Sequence, residues 1–134
     1  MTTRVTDRDD PAIQVLLSDN TLPEPFDYEH TELVVIGEED GIPIGLMSGC
    51  IVNGYPIIEH LGLRPGFRGQ SRIYELADAY LAAWVGQGHP AVIFHVNPDL
   101  PWAGPLLKAA ERWQAKVYAD DAKGRWYVKY AETA

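Results

Sequence analysis

Cysteine is almost missing from this chain. Cys50 is the single one in 134 residues, which excludes an internal disulfide and a cysteine-based metal site and fits a reducing compartment. Long apolar runs are missing too. None approaches the roughly 18 residues of a membrane-spanning helix, and residues 1–7 lack the apolar segment of a secretory signal. A soluble, cytoplasmic chain without a membrane partner is expected. Positive charge is scarce: 11 Lys and Arg stand against 19 Asp and Glu, for a net charge of −8. With no dense Lys/Arg cluster, nucleic acid is not an expected partner. The acidic surface suits a cationic or amine substrate, and serves solubility equally well. Four histidines, His30, His60, His89 and His95, lack the paired spacing of a zinc site, so no metal is expected. His95, alone in an apolar run, reads as a satisfied core histidine.

What the chain has is enough apolar material for one core: 46% hydrophobic residues in a length that suits a single domain, residues 1–134. Val5 marks a short first strand. Asp9, Asp10 and Pro11 then open a short helix carrying Ile13, Leu16 and Leu17 at helical spacing. Residues 21–31, with Pro23, Pro25, Phe26 and Tyr28, read as an extended surface loop or at most one helical turn. Three β-prone runs follow, 33–38, 42–52 and 55–63, joined by the hairpin signals Asp40-Gly41 and Asn53-Gly54. Residues 72–85 have the apolar stripe of a helix, and 91–96 form an apolar strand directly after it, which is βαβ order. A helix over 103–113 and a last hairpin, 116–119 with 125–130, complete an α+β chain with a mixed sheet: a central βαβ with antiparallel hairpins on either side.

The chain commits itself at residues 61–77, where alternating apolar residues end at Pro65, a loop with Gly66 and Gly69 follows, and a helix begins near Ser71. A loop of this kind leaves N–H groups at a helix N-terminus, where they can hold a phosphate; it is equally an ordinary βα connection. Segment 61–70, with Leu61, Leu63, Pro65, Phe67, Arg68, Gly69 and Gln70 in order, resembles the central motif of the GNAT superfamily of acyl-CoA-dependent N-acyltransferases. Arg4, Arg8, Asp9, Asp10, Pro11 and Ala12 resemble its opening strand and helix, and residues 34–48 its central hairpin. Residues 91–97 resemble its fifth strand and the asparagine after it.

The resemblance implies a GNAT fold with acetyl-CoA as cosubstrate and a small-molecule or protein amine as acceptor; a homodimer is allowed. It implies that the fourth and fifth strands splay into a V holding the acyl carrier along Leu61 and Leu63. The pyrophosphate would meet Arg68, Gly69, Gln70, Ser71, Arg72 and Ile73, and Asn97 would complete the site. Ser71 and Ile73 stand where the family has glycine, or glycine or alanine, and the serine variant also resembles GNAT-like proteins of bacteriophages. Ile73 must therefore turn beneath the helix, beside Leu76 and Ala77, for the loop to stay open.

Acyl transfer to an amine needs a base near the fourth strand and a proton for the leaving thiolate. Glu59 and His60 are the candidate bases. Strict alternation sends their side chains to opposite faces, so that only one meets the acceptor. The tyrosine acid that the family places on the helix after the fifth strand is absent from 103–113; Tyr118, Tyr127 and Tyr130 are the substitutes in reach of the last hairpin. A hydrolase triad of Ser71, His60 and Glu59 is the weaker arrangement, since no nucleophile-elbow motif is present. Against the transferase stands a second class: a catalytically inactive GNAT-like domain serving as an interaction or assembly module, with a phage origin as one version of it.

Overall fold

The computed structural model describes residues 1–18, 28–67, 70–100 and 102–131; the expected surface loop falls outside these residues up to position 27. The elements are β1 (Thr2–Thr6), α1 (Ala12–Ser18), β2 (Leu33–Glu39), β3 (Ile42–Val52), β4 (Tyr55–Leu63), α2 (Gln70–Gly86), β5 (Ala91–Val96), α3 (Ala103–Trp113), β6 (Lys116–Asp120) and β7 (Arg125–Tyr130). They form a seven-stranded sheet in the order β1-β2-β3-β4-β5-β7-β6. Neighbouring strands are antiparallel except β4 and β5, which are parallel.

Local chemistry accounts for the turns. Asp40 and Gly41, then Asn53 and Gly54, all take positive φ at the hairpin tips, a conformation open to glycine and tolerated by Asp and Asn. Asp10 accepts the N–H of Ala12 at 2.9 Å and so caps α1. Arg4 pairs with both Asp10 and Glu38, tying β1 and β2 to the start of that helix.

Helices cover both faces of the sheet, which is why β2 begins with five buried residues instead of an alternating pattern. On one face Ala12, Ile13 and Leu16 of α1 meet Val34, Ile36 and Leu46. On the other, Leu33, Val35, Met47, Leu61 and Leu63 meet Ile73, Leu76, Ala77 and Tyr80 of α2 and Leu106, Ala109 and Trp113 of α3. Burying a side chain such as Leu76, at 0% exposure, contributes about 1.5–3 kcal/mol.

Two irregularities shape the middle of the sheet. Ser48 pairs with His60 but Gly49 pairs with Ile58, so Glu59 is an extra residue, a β-bulge in β4. β4 and β5 are in register only at Ile57 and Ile93, and beyond that pair they diverge and leave a gap toward their C-terminal ends.

Candidate acyl-transfer site

The gap is bordered on one side by β4 after its bulge and on the other by the end of β5. α2 and α3 close one face of the sheet here. The opposite face opens into a cleft of about 700 Å³ lined by Arg8, Glu29, His30, Glu32, Cys50, Ile51, Val52 and Glu59.

The bulge corrects the expectation that Glu59 and His60 point to opposite faces. His60 Nδ1 lies 2.9 Å from Ser48 Oγ, while Glu59 lies against Cys50. Ser48 and Cys50 share one face of β3, so Glu59 and His60 share that face too. Glu59 lines the cleft and accepts a hydrogen bond from the buried Thr31 hydroxyl at 2.9 Å. His60 is buried, with Trp102 edge-on to its ring at 5.3 Å. Ser48, not Ser71, is the serine that meets His60. Ser71 is exposed on the first turn of α2, which removes the basis for the alternative triad.

Electrostatics in the cleft favour cations. Glu32 accepts the N–H of Ile51 at 2.6 Å, and Arg8 donates to the carbonyl of Glu29 at 3.0 Å. Burial pushes the Cys50 thiol up to about 11, with Glu59 and Glu32 adding to the effect. Cys50 is thus mostly a neutral thiol at pH 7 and a slow nucleophile.

On the helix side, Ile73 is 5% exposed and packs with Leu61, Leu63, Leu76 and Ala77. Its side chain is turned beneath α2, into the core. The N–H groups of the first turn of α2, those of Ser71, Arg72 and Ile73 among them, have no intrahelical acceptor and can serve an anion. Arg72 donates to Glu39 at 2.7 Å and to the carbonyl of Phe67 at 3.4 Å, with its guanidinium over the Phe67 ring. Arg68 and Gly69, and the side chain of Gln70, lie outside the described residues. Asn97 accepts the N–H of Asp99 at 3.0 Å and shapes the turn after β5. Leu61 and Leu63 direct their side chains into the core, leaving their backbone to the gap side of β4.

Sequence reasoning missed His95. It is no core residue but lies on the cleft side of the sheet, opposite Val92 and Phe94, whose side chains enter the core. His95 Nε2 is 3.2 Å from Asp121 Oδ1, and its ring lies 4.7 Å from that of Trp126. The signal was present in the alternation of β5: His95 shares the parity of Ile93, not of Phe94. The substitute acids fare differently. Tyr127 stacks on Phe94 at 5.3 Å, and Tyr118 and Tyr130 are more than half exposed. Among the described residues no group of three His, Cys, Asp or Glu is placed to hold a metal ion, and no helix is long and apolar enough to cross a membrane.

The sequence matches no protein-family model, and no curated protein matches it either. Solved structures do match in fold. An aminoglycoside 6'-N-acetyltransferase complexed with coenzyme A superposes with a TM-score of 0.73 at 13% identity, covering 97% of each chain. A putative GNAT-family acetyltransferase from Desulfovibrio desulfuricans gives 0.73 at 11% identity, covering 96% of this chain and 99% of that one. The PaiA N-acetyltransferase from Thermoplasma acidophilum, in complex with coenzyme A, gives 0.61 at 14% identity; the match takes in 73% of this chain and 60% of that one. The chain has the fold of the GNAT acyl-CoA N-acyltransferases, as residues 61–70 led us to expect.

Proposed function

We propose that this chain is an N-acetyltransferase that moves the acetyl group of acetyl-CoA to a primary amine of a small molecule or protein. The observation that carries the reading is that β4 and β5 are joined at one pair only, while the Glu59 carboxylate on β4, two residues past that pair, lines an acidic cleft. Splayed strands offer backbone to an extended, amide-bearing chain, and the buried position of Ile73 leaves room at the α2 N-terminus for a pyrophosphate. Similar structures hold coenzyme A, which supports the same cosubstrate here.

In this reading Glu29, Glu32 and Glu59 attract an ammonium acceptor and Glu59 takes its proton. The neutral nitrogen then attacks the thioester carbonyl. Thr31 orients the Glu59 carboxylate through its hydroxyl. His60, held by Ser48 and backed by Trp102, lies beside Glu59 and packs that wall of the gap.

The test is thiol release from acetyl-CoA in the presence of a panel of primary amines. Glu59→Gln should lower kcat by roughly 100-fold or more, the usual contribution of a positioned base, with coenzyme A affinity unchanged. Wild-type protein that binds acetyl-CoA yet acetylates no amine would contradict the enzyme reading. One observation favours the inactive-module alternative: Arg72, a charge partner proposed for the pyrophosphate, already holds Glu39. Failure to bind coenzyme A would establish that alternative.

A further inference from the structure

The remaining requirement of the reaction is a proton for the departing thiolate, and α3 supplies no tyrosine for it. The opposite bank of the gap carries a histidine that nothing above uses. His95 stands two residues past Ile93, as Glu59 stands two residues past Ile57, the paired position on β4. Both side chains lie on the cleft side of the sheet.

His95 is a held ring. Its Nε2 meets Asp121, which also accepts the N–H groups of Lys123 at 2.8 Å and Gly124 at 2.9 Å and the Trp126 indole N–H at 3.1 Å. These donors, led by the Lys123 amide, lower the Asp121 carboxyl to about 2. Asp121 is therefore an anion at any working pH and cannot donate, so Nε2 of His95 carries a proton in the neutral ring as well as in the charged one. Nδ1 is the nitrogen that gains and loses one. The β6–β7 turn that supplies Asp121 is docked against the end of β5: at Gly124 a Cβ would collide with the Val96 carbonyl. The other charged groups on the elements packed beside the ring are Lys123 in the β6–β7 turn and Asp120, which is paired with Arg125 at 2.7 Å; Glu59 is the charged group on the facing strand β4. The His95 side chain is 20% exposed, enough for a reactant to reach it.

We propose that His95 is the general acid of this site, positioned by Asp121 and Trp126 to protonate the thiolate of coenzyme A. The proposal rests on the transferase reading above. Glu59 first passes the proton it took from the ammonium to solvent; the neutral amine nitrogen then forms a bond to the acetyl carbon and gives its second proton to Glu59. As the tetrahedral intermediate collapses, the carbon–sulfur bond breaks, its electron pair stays on sulfur, and the Nδ1 proton of imidazolium His95 passes to that sulfur. The neutral ring keeps its Nε2–H on Asp121, and solvent restores the Nδ1 proton while Glu59 releases the one it took.

The experiment needs no knowledge of the acceptor. Coenzyme A is titrated into wild type and His95→Gln by calorimetry, and the thiol of the bound coenzyme is followed through its ultraviolet thiolate absorbance against pH. A charged ring beside the sulfur favours the thiolate, so the thiol's titration curve moves toward lower pH when the ring is present. The expected result is similar coenzyme A affinity in both proteins, a depressed midpoint on wild type, an ordinary one on His95→Gln, and an intermediate one on Asp121→Asn. A merely structural histidine would move stability and leave the thiol alone. Coenzyme A heat with the same thiol midpoint in wild type and His95→Gln overturns the proposal and leaves the transferase reading standing. No heat with either protein overturns both.

Discussion

Ile73 decides whether the α2 loop works. Buried beside Leu76 and Ala77, it contributes apolar contact to the core, and on the proposed reading it leaves the phosphate site free. Ile73→Gly should therefore destabilise the fold by about 3–5 kcal/mol, the range for deleting a large aliphatic side chain and adding a helix glycine. Coenzyme A affinity should stay the same or fall; urea unfolding and calorimetry on one preparation check both. Cys50 gives a second test. With its thiol near 11, it should react with iodoacetamide at pH 7 on the order of 100-fold more slowly than an ordinary cysteine, the rate climbing until the pH passes 11. Asp10 gives a third. The Arg4 guanidinium holds its carboxyl well below the usual range. A lowered folded pKa means stability that is present above the unfolded value, about 4, and lost as pH falls toward the folded one. Asp10→Asn should lower the thermal midpoint at pH 7 and have a shrinking effect below pH 4. Arg4 is partly exposed, so added salt should weaken the difference.

At the scale of elements, the β4 bulge does the most for the site, because it brings Glu59 and His60 to one face. Its partner residue Gly49 is pinned between α2 and β4: a Cβ there would strike the Tyr80 hydroxyl and the Ile57 carbonyl. Gly49→Ala should lower the thermal midpoint by several degrees and weaken acetyl transfer more than coenzyme A binding, since the distortion falls at the bulge and not at the loop. Differential scanning calorimetry and a binding titration separate the two. Nearly all elements were legible in the sequence because the signals were local: Asp40-Gly41 and Asn53-Gly54 for the hairpins, and the stripe from Ile73 to Leu81 for α2. The bulge was not. One extra residue in β4 leaves no mark on composition or turn chemistry, and it shows only when the ladder with β3 is laid out. Strict alternation therefore misassigned the faces of Glu59 and His60. His95 was missed because a histidine among apolar residues looks buried until its partner arrives from a turn 26 positions away.

Across the described residues, the sheet carries helices on both faces, β4 and β5 are joined at a single pair, and the acidic cleft lies on the face away from α2. The parallel β4–β5 pair and the loop between its strand and helix were legible from residues 61–70 and the βαβ order, since that order forces such a pair. The side chains proposed to do chemistry were less legible, because Glu59, Thr31, His95 and Asp121 come from separate segments that only the tertiary fold assembles. The most direct measurement of the central claim is a calorimetric titration with coenzyme A. The account predicts saturable heat at or below millimolar ligand, retained in Ile73→Gly or weakened, and a rise in thermal midpoint with ligand concentration as mass action requires. No heat and no thermal shift at millimolar coenzyme A, or binding that becomes tenfold tighter in Ile73→Gly, would contradict it.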